Sequence, residues 1–228
     1  MPRRRSTRRR SRQSGSLGYL LVAVVVVLLG WLLIERGVLP SPSPPASTRR
    51  PQGGESAAEN RAAVRRLGGA VDYGTVNAAT GQRSGIRATI TPAMVAAAGR
   101  EELGSPADPD IRPPGYDRLP ARNRARGHLL GRQLGGSGAV AANLVAMYQT
   151  RANSPVMRDY ETLVAEGVRK GETVRYAVRP IYGSRTADGA PAAIRITATG
   201  DRGLRLDVTV ANTPDAAVTE TVAPTRGP

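Results

Sequence analysis

An uncharged, apolar run at residues 17–34 sets the first limit on how this chain can fold. At about 1.5 Å per residue it makes a helix of roughly 27 Å, close to the hydrocarbon thickness of a bilayer. Tyr19 and Trp31 stand near its two ends, where amphipathic rings prefer the membrane interface. Arg3, Arg4, Arg5, Arg8, Arg9, Arg10 and Arg12 precede it. The positive-inside rule then keeps the amino terminus in the cytoplasm and puts the residues beyond the run outside the cell. The run is long for the apolar core of a signal peptide. Glu35, Arg36 and Pro40 come after it with no small-residue cleavage site. The reading is a single-pass anchor; cleavage would instead make the protein secreted.

The rest of the chain divides by composition. Residues 1–16 are a basic tail, and 35–66 are a linker rich in Pro, Ser and Gly that reads as disordered, with a short helix readable at 60–69 that ends at Gly68-Gly69. Residues 67–212 form the one domain, and 213–228 read as a flexible tail. Cys is absent, which excludes disulfides, thiolate metal sites and Cys nucleophiles. Phe is also absent, so the core must be built from Val, Ile, Leu, Ala and a few Tyr. The net charge is +15. Residues 1–36 hold eight of the 33 basic residues and one of the 18 acids, leaving the outer part at +8. Such a domain attracts polyanions: nucleic acid, anionic lipid or wall polymers.

Within the domain, residues 70–91 predict two strands, the second alternating Ile86, Ala88 and Ile90 with Arg87 and Thr89. Pro92 opens a short Ala-rich helix, and the prolines at 106, 109, 113 and 114 make 101–119 a loop. Ser154 and Pro155 predict the cap and first residue of a longer helix that Gly171 ends. Strands are expected next at 173–182, 192–199 and 204–210. The fold class expected is α+β with a mostly antiparallel sheet.

His128 is the only histidine, and so the only side chain whose ordinary pKa suits a general base near neutrality. Arg122, Arg124 and Arg126 precede it and a Gly-rich turn comes after it. Nearby positive charge favours the neutral ring that a base requires. A lone His is also commonly structural.

The string Arg126-Gly127-His128-Leu129, the Gly135-Gly136 turn, Asn143-Leu144-Val145-Ala146 and Asn153 before a helix bearing Glu161 together resemble the DNA/RNA non-specific endonucleases. The resemblance covers residues 120–182 and implies a ββα-metal (His–metal finger) core. It implies that His128 is the base activating water, with Glu161 and Arg126 also catalytic. Asn153 would be the side-chain ligand of one Mg²⁺, for which Mn²⁺ could substitute, and Asn143 would brace His128 or join the metal site. Arg126 or Arg151 would bind the phosphate. DNA and RNA are the implied substrates, and nothing in the sequence identifies an inhibitor protein. Two departures stand out: Ala125 replaces the family's Asp before Arg-Gly-His, and the Asn143-to-Asn153 interval is a residue longer. They leave open a second reading, an inactive module of the same fold that binds nucleic acid or another polyanion.

Overall fold

The computed structural model describes residues 56–183 and 189–225. The basic tail, the expected membrane-spanning run and most of the linker lie outside these residues. Among the described residues, no helix is long and apolar enough to cross a membrane.

The chain forms α1 (Ala57–Arg66), β1 (Ala70–Asp72), β2 (Ile86–Ile90), α2 (Pro92–Gly99), β3 (Arg124–His128) and β4 (Leu144–Tyr148). Next in order are β5 (Thr150–Arg151), β6 (Ser154–Pro155), α3 (Val156–Arg169), β7 (Val174–Ile181), β8 (Ala193–Gly200), β9 (Arg205–Ala211) and β10 (Val218–Thr225). Six strands make one antiparallel sheet in the order β1-β2-β7-β8-β9-β10. The expected α+β class holds.

Period-two alternation gives the sheet one buried face. Ile86, Ile90, Val174, Val178, Ile194, Ile196, Val208 and Val210 are almost completely enclosed, each worth about 1.5–3 kcal/mol of transfer free energy. Arg87, Arg175 and Arg195 point from the same strands to solvent. β2 and β7 are paired neighbours, Ile86 opposite Val178 through Ile90 opposite Val174. Residues 91–173 therefore form an insertion between two adjacent strands. It carries α2, the β3–β4 hairpin and α3, whose Met157, Val164 and Val168 enter the same core.

Three expectations change. The linker is shorter than expected: the short helix read at 60–69 begins earlier, at Ala57, where Ser56 and Glu59 form a reciprocal capping box, and Val64 and Asn60 are buried. Asn60 Nδ2 donates to Gly135 O at 3.1 Å, and Tyr73 Oη donates to Asn60 Oδ1 at 2.6 Å. Those bonds tie α1 into the domain. The tail reading of 213–228 fails at 218–225, which pairs with β9 as the edge strand β10. Ser154 is not the cap of α3. Residues 154–155 pair in parallel with β5, and Pro155 stands at the cap position without a side-chain bond. The end of α3 is as expected, with Gly171 at φ +96 just past its last turn.

Candidate active site

His128 ends β3, and its partner across the hairpin is Leu144. Strand alternation sets Arg124, Arg126 and His128 to one side and Ala125 and Gly127 to the other. Gly127 must lack a side chain: a Cβ there would run into Met147 and come within 3.2 Å of Asn153 Oδ1. This absence lets the chain before α3 close against β3.

The loop leaving His128 is held by Asn143. Asn143 Oδ1 accepts from Leu130 N at 2.8 Å, and Nδ2 donates to the carbonyls of Leu130 and Ser137, each at 3.0 Å. The side chain is fully buried and its polar atoms are committed. Asn143 is thus a brace and not a metal ligand, which corrects that part of the sequence expectation. Asn143→Ala would leave the buried N–H and carbonyl of Leu130 without partners, while Ser137 O keeps Val140 N at 3.5 Å, and is expected to cost about 2 kcal/mol or more in urea denaturation.

The ring of His128 is oriented by the main chain. Its Nε2 lies 3.1 Å from Ser105 O. A carbonyl only accepts, so Nε2 carries the hydrogen and Nδ1 keeps the lone pair. Burial holds the imidazole pKa below its usual 6.5; the Ser105 bond opposes this and Arg132 adds to it. The neutral form expected from the sequence is favoured, with burial as the main cause rather than the preceding arginines.

His128, Asn153 and Glu161 come together on a cavity of about 280 Å³. Asn153 Nδ2 donates to Gln149 Oε1 at 3.1 Å, which leaves Oδ1 as its available oxygen. Glu161 is buried on α3, and desolvation pushes its carboxyl up to about 8, against smaller opposing effects of Gln133 and the Gly131 backbone. A Cβ on Gly131 would overlap the Glu161 carboxylate. Gly131→Ala is therefore expected to displace Glu161 and lower any activity of the site at least about tenfold, measured as initial rate. A larger hollow of about 510 Å³ on the open face of the sheet contains no His, and Asp72 is its only acid.

Arg126 and Arg151 do not reach this cavity. The Arg126 guanidinium donates to Ile111 O at 2.7 Å and Pro109 O at 2.6 Å, and lies 4.4 Å above the Tyr116 ring. Arg151 donates to Asp215 O at 3.1 Å. The expected role of Arg126 at the phosphate is replaced by a structural one. Two arginines that the sequence motif does not single out, Arg132 and Arg158, line the cavity instead. A signal existed for Arg158, which is three residues from Glu161 on one helix and so shares its face.

Among the described residues, no group of three or more His, Cys, Asp or Glu could hold a metal ion. The oxygen donors present are Asn153 Oδ1 and the Glu161 carboxylate, beside the single nitrogen of His128 Nδ1. Such a set fits a hard divalent cation that retains most of its waters. It lacks the tetrahedral nitrogen and sulfur ligands typical of structural zinc.

The sequence profile of the DNA/RNA non-specific endonucleases matches residues 85–200, half of the chain. The chain belongs to this family. The matched segment runs from β2 to the end of β8 and contains every residue lining the cavity. Two solved nucleases have similar folds. The Sda1 nuclease, solved with a bound zinc ion, aligns with a TM-score of 0.50 and 18% identity, over 63% of this chain and 74% of its own. NucA from Streptococcus agalactiae, solved with no metal bound, gives 0.48 and 19% over 67% and 78%. No curated protein matches the sequence.

Proposed function

We propose that this endonuclease-family protein hydrolyses phosphodiester bonds of DNA and RNA without regard to sequence, with His128 as general base. The observation that carries this reading is the Ser105 carbonyl on Nε2, which leaves a bare Nδ1 on a ring facing the cavity of Asn153 and Glu161. His128 Nδ1 takes a proton from the water whose oxygen bonds to phosphorus as the P–O3′ bond breaks. Asn153 and Glu161 would hold Mg²⁺, directly and through its waters respectively. When bound, the ion supplies positive charge beside the scissile phosphate and the leaving oxygen. The basic outer part attracts the phosphate backbone common to all sequences.

The test is incubation of the purified protein with supercoiled plasmid and with RNA. Degradation of both with Mg²⁺ or Mn²⁺, abolished by EDTA, is expected. Failure to cut either across pH 6–9 would leave the polyanion-binding module as the reading. Asn153→Ala is expected to raise the Mg²⁺ concentration for half-maximal rate by about tenfold or more. An unchanged Mg²⁺ titration would remove Asn153 from the metal site.

The arginines before the apolar run at 17–34 support an anchored protein whose domain lies outside the cell. Protease added to intact cells should remove the domain and spare the amino-terminal tail. A domain digested only after lysis would reverse this topology.

A further inference from the structure

Two arginines that line the cavity, Arg132 and Arg158, are left unused by this chemistry. Arg158 sits in the first turn of α3 on the Glu161 side, and among the described residues its guanidinium has no hydrogen bond or ion pair. Arg132 reaches the cavity from the loop that leaves His128. Its Nη2 lies 2.9 Å from Glu101 Oε1, with the two side chains 41% and 75% exposed. Glu101 stands just beyond α2 and has the left-handed φ of +61. An ion pair this open to water is worth about 0–1 kcal/mol, so a phosphate can displace the carboxylate at little cost.

We propose that Arg158 and Arg132 form a two-armed clamp on nucleic-acid phosphates, with Glu101 an internal competitor that the substrate displaces from Arg132. The clamp rests on the nuclease reading. One arm stands on a helix and the other on the loop that carries the base onward, so a phosphate held by both lies across the cavity mouth. A guanidinium offers phosphate a planar fork of donors, which the compact ammonium of lysine does not. Neither arm reads a base, in keeping with cleavage that ignores sequence. The arginines of the recognisable motif do not serve, because Arg126 and Arg151 are spent on backbone carbonyls.

The competitor has a built-in control. Glu102, the next residue, pairs through two bonds of 2.9 and 2.8 Å with Arg100, which does not line the cavity. Glu101→Gln and Glu102→Gln remove the same charge one residue apart. Steady-state hydrolysis of a short duplex by the full chain, at one fixed ionic strength, separates their effects. Arg158→Ala should lower kcat/KM by about 10²–10³-fold, and Arg158→Lys should recover only part of the loss. Arg132→Ala should lower it by about tenfold. Glu101→Gln should lower KM by up to about fivefold, while Glu102→Gln leaves it unchanged.

Wild-type kinetics in Arg158→Ala would overturn the clamp while leaving the nuclease reading intact. Equal KM changes in the two Gln variants would do the same for the competitor. These two variants decide the matter even if an arginine substitution lowers the melting temperature. A wild type that cleaves nothing would bring down the nuclease reading, and the clamp with it.

Discussion

His128→Ala is expected to lower turnover by about 10²–10⁴-fold, the range for a positioned acid–base group. The chain offers no substitute, since it has no second His and no Cys. DNA affinity should change little, because His128 is neither a phosphate-binding nor a metal-holding residue in the proposed site. The pH profile carries a second expectation. With the imidazole pKa held below 6.5 by burial, the base stays unprotonated through neutrality, and the acid limb of kcat/KM should fall at lower pH than for an ordinary histidine. Rates measured from pH 5 to 9 on plasmid and RNA check both. Equal turnover by His128→Ala and wild type would end the proposed mechanism.

The second large effect is on stability. Burial pushes the Glu161 carboxyl up to about 8, whereas an unperturbed glutamate has 4.5. Between these values the unfolded chain has given up a proton that the folded chain keeps. Stability must therefore fall as pH rises through that window, and level off above it. The slope approaches about 1.4 kcal/mol per pH unit where the two states differ by a full proton. Urea denaturation in EDTA should show a loss on the order of 3–4 kcal/mol between pH 5 and 8 that Glu161→Gln lacks. Excess Mg²⁺ should restore stability at pH 8 in the wild type, since an ion bound only by the folded state shifts the balance toward it. Identical pH slopes in the two proteins would show that Glu161 is not the desolvated carboxyl described.

The sheet is legible in the sequence because its strands alternate. The Ile86–Ile90 and Arg205–Ala211 strands carry one apolar and one polar face, a pattern few other structures produce. β10 is not legible, because Thr219, Thr221, Ala223 and Pro224 look like a tail and the strand is exposed along nearly its whole length. Its pairing comes from the partner strand and leaves almost no mark in its own residues. α1 is legible in its body but not at its start: its capping box is a clear local signal, but the stretch before it is rich in Pro and Gly. In the site, the motif identifies His128, Asn153 and Glu161, and the fold brings them to one cavity. It misdirects the arginine assignments. Proximity along the chain and the shared strand face favour Arg126, but its guanidinium is held by the carbonyls of Pro109 and Ile111, which lie in a distant loop.

The histidine's orienting partner is a main-chain oxygen, and this has a consequence for how the protein tolerates variation. Ser105 O accepts both from His128 Nε2 and from Gly138 N, so two stretches of backbone hold the ring's tautomer. Replacing Ser105 with Ala deletes its hydroxyl, which bonds Gly138 N and Ser137 Oγ, and leaves the carbonyl in place. Ser105→Ala should therefore cost stability through the two lost side-chain bonds and leave the base oriented. Variation at position 105 leaves the oxygen in place so long as the path of the loop is kept, a path that needs Gly104 at φ +77. A one-residue insertion or deletion between 104 and 108 would shift the register of that oxygen and should be as damaging as losing the histidine.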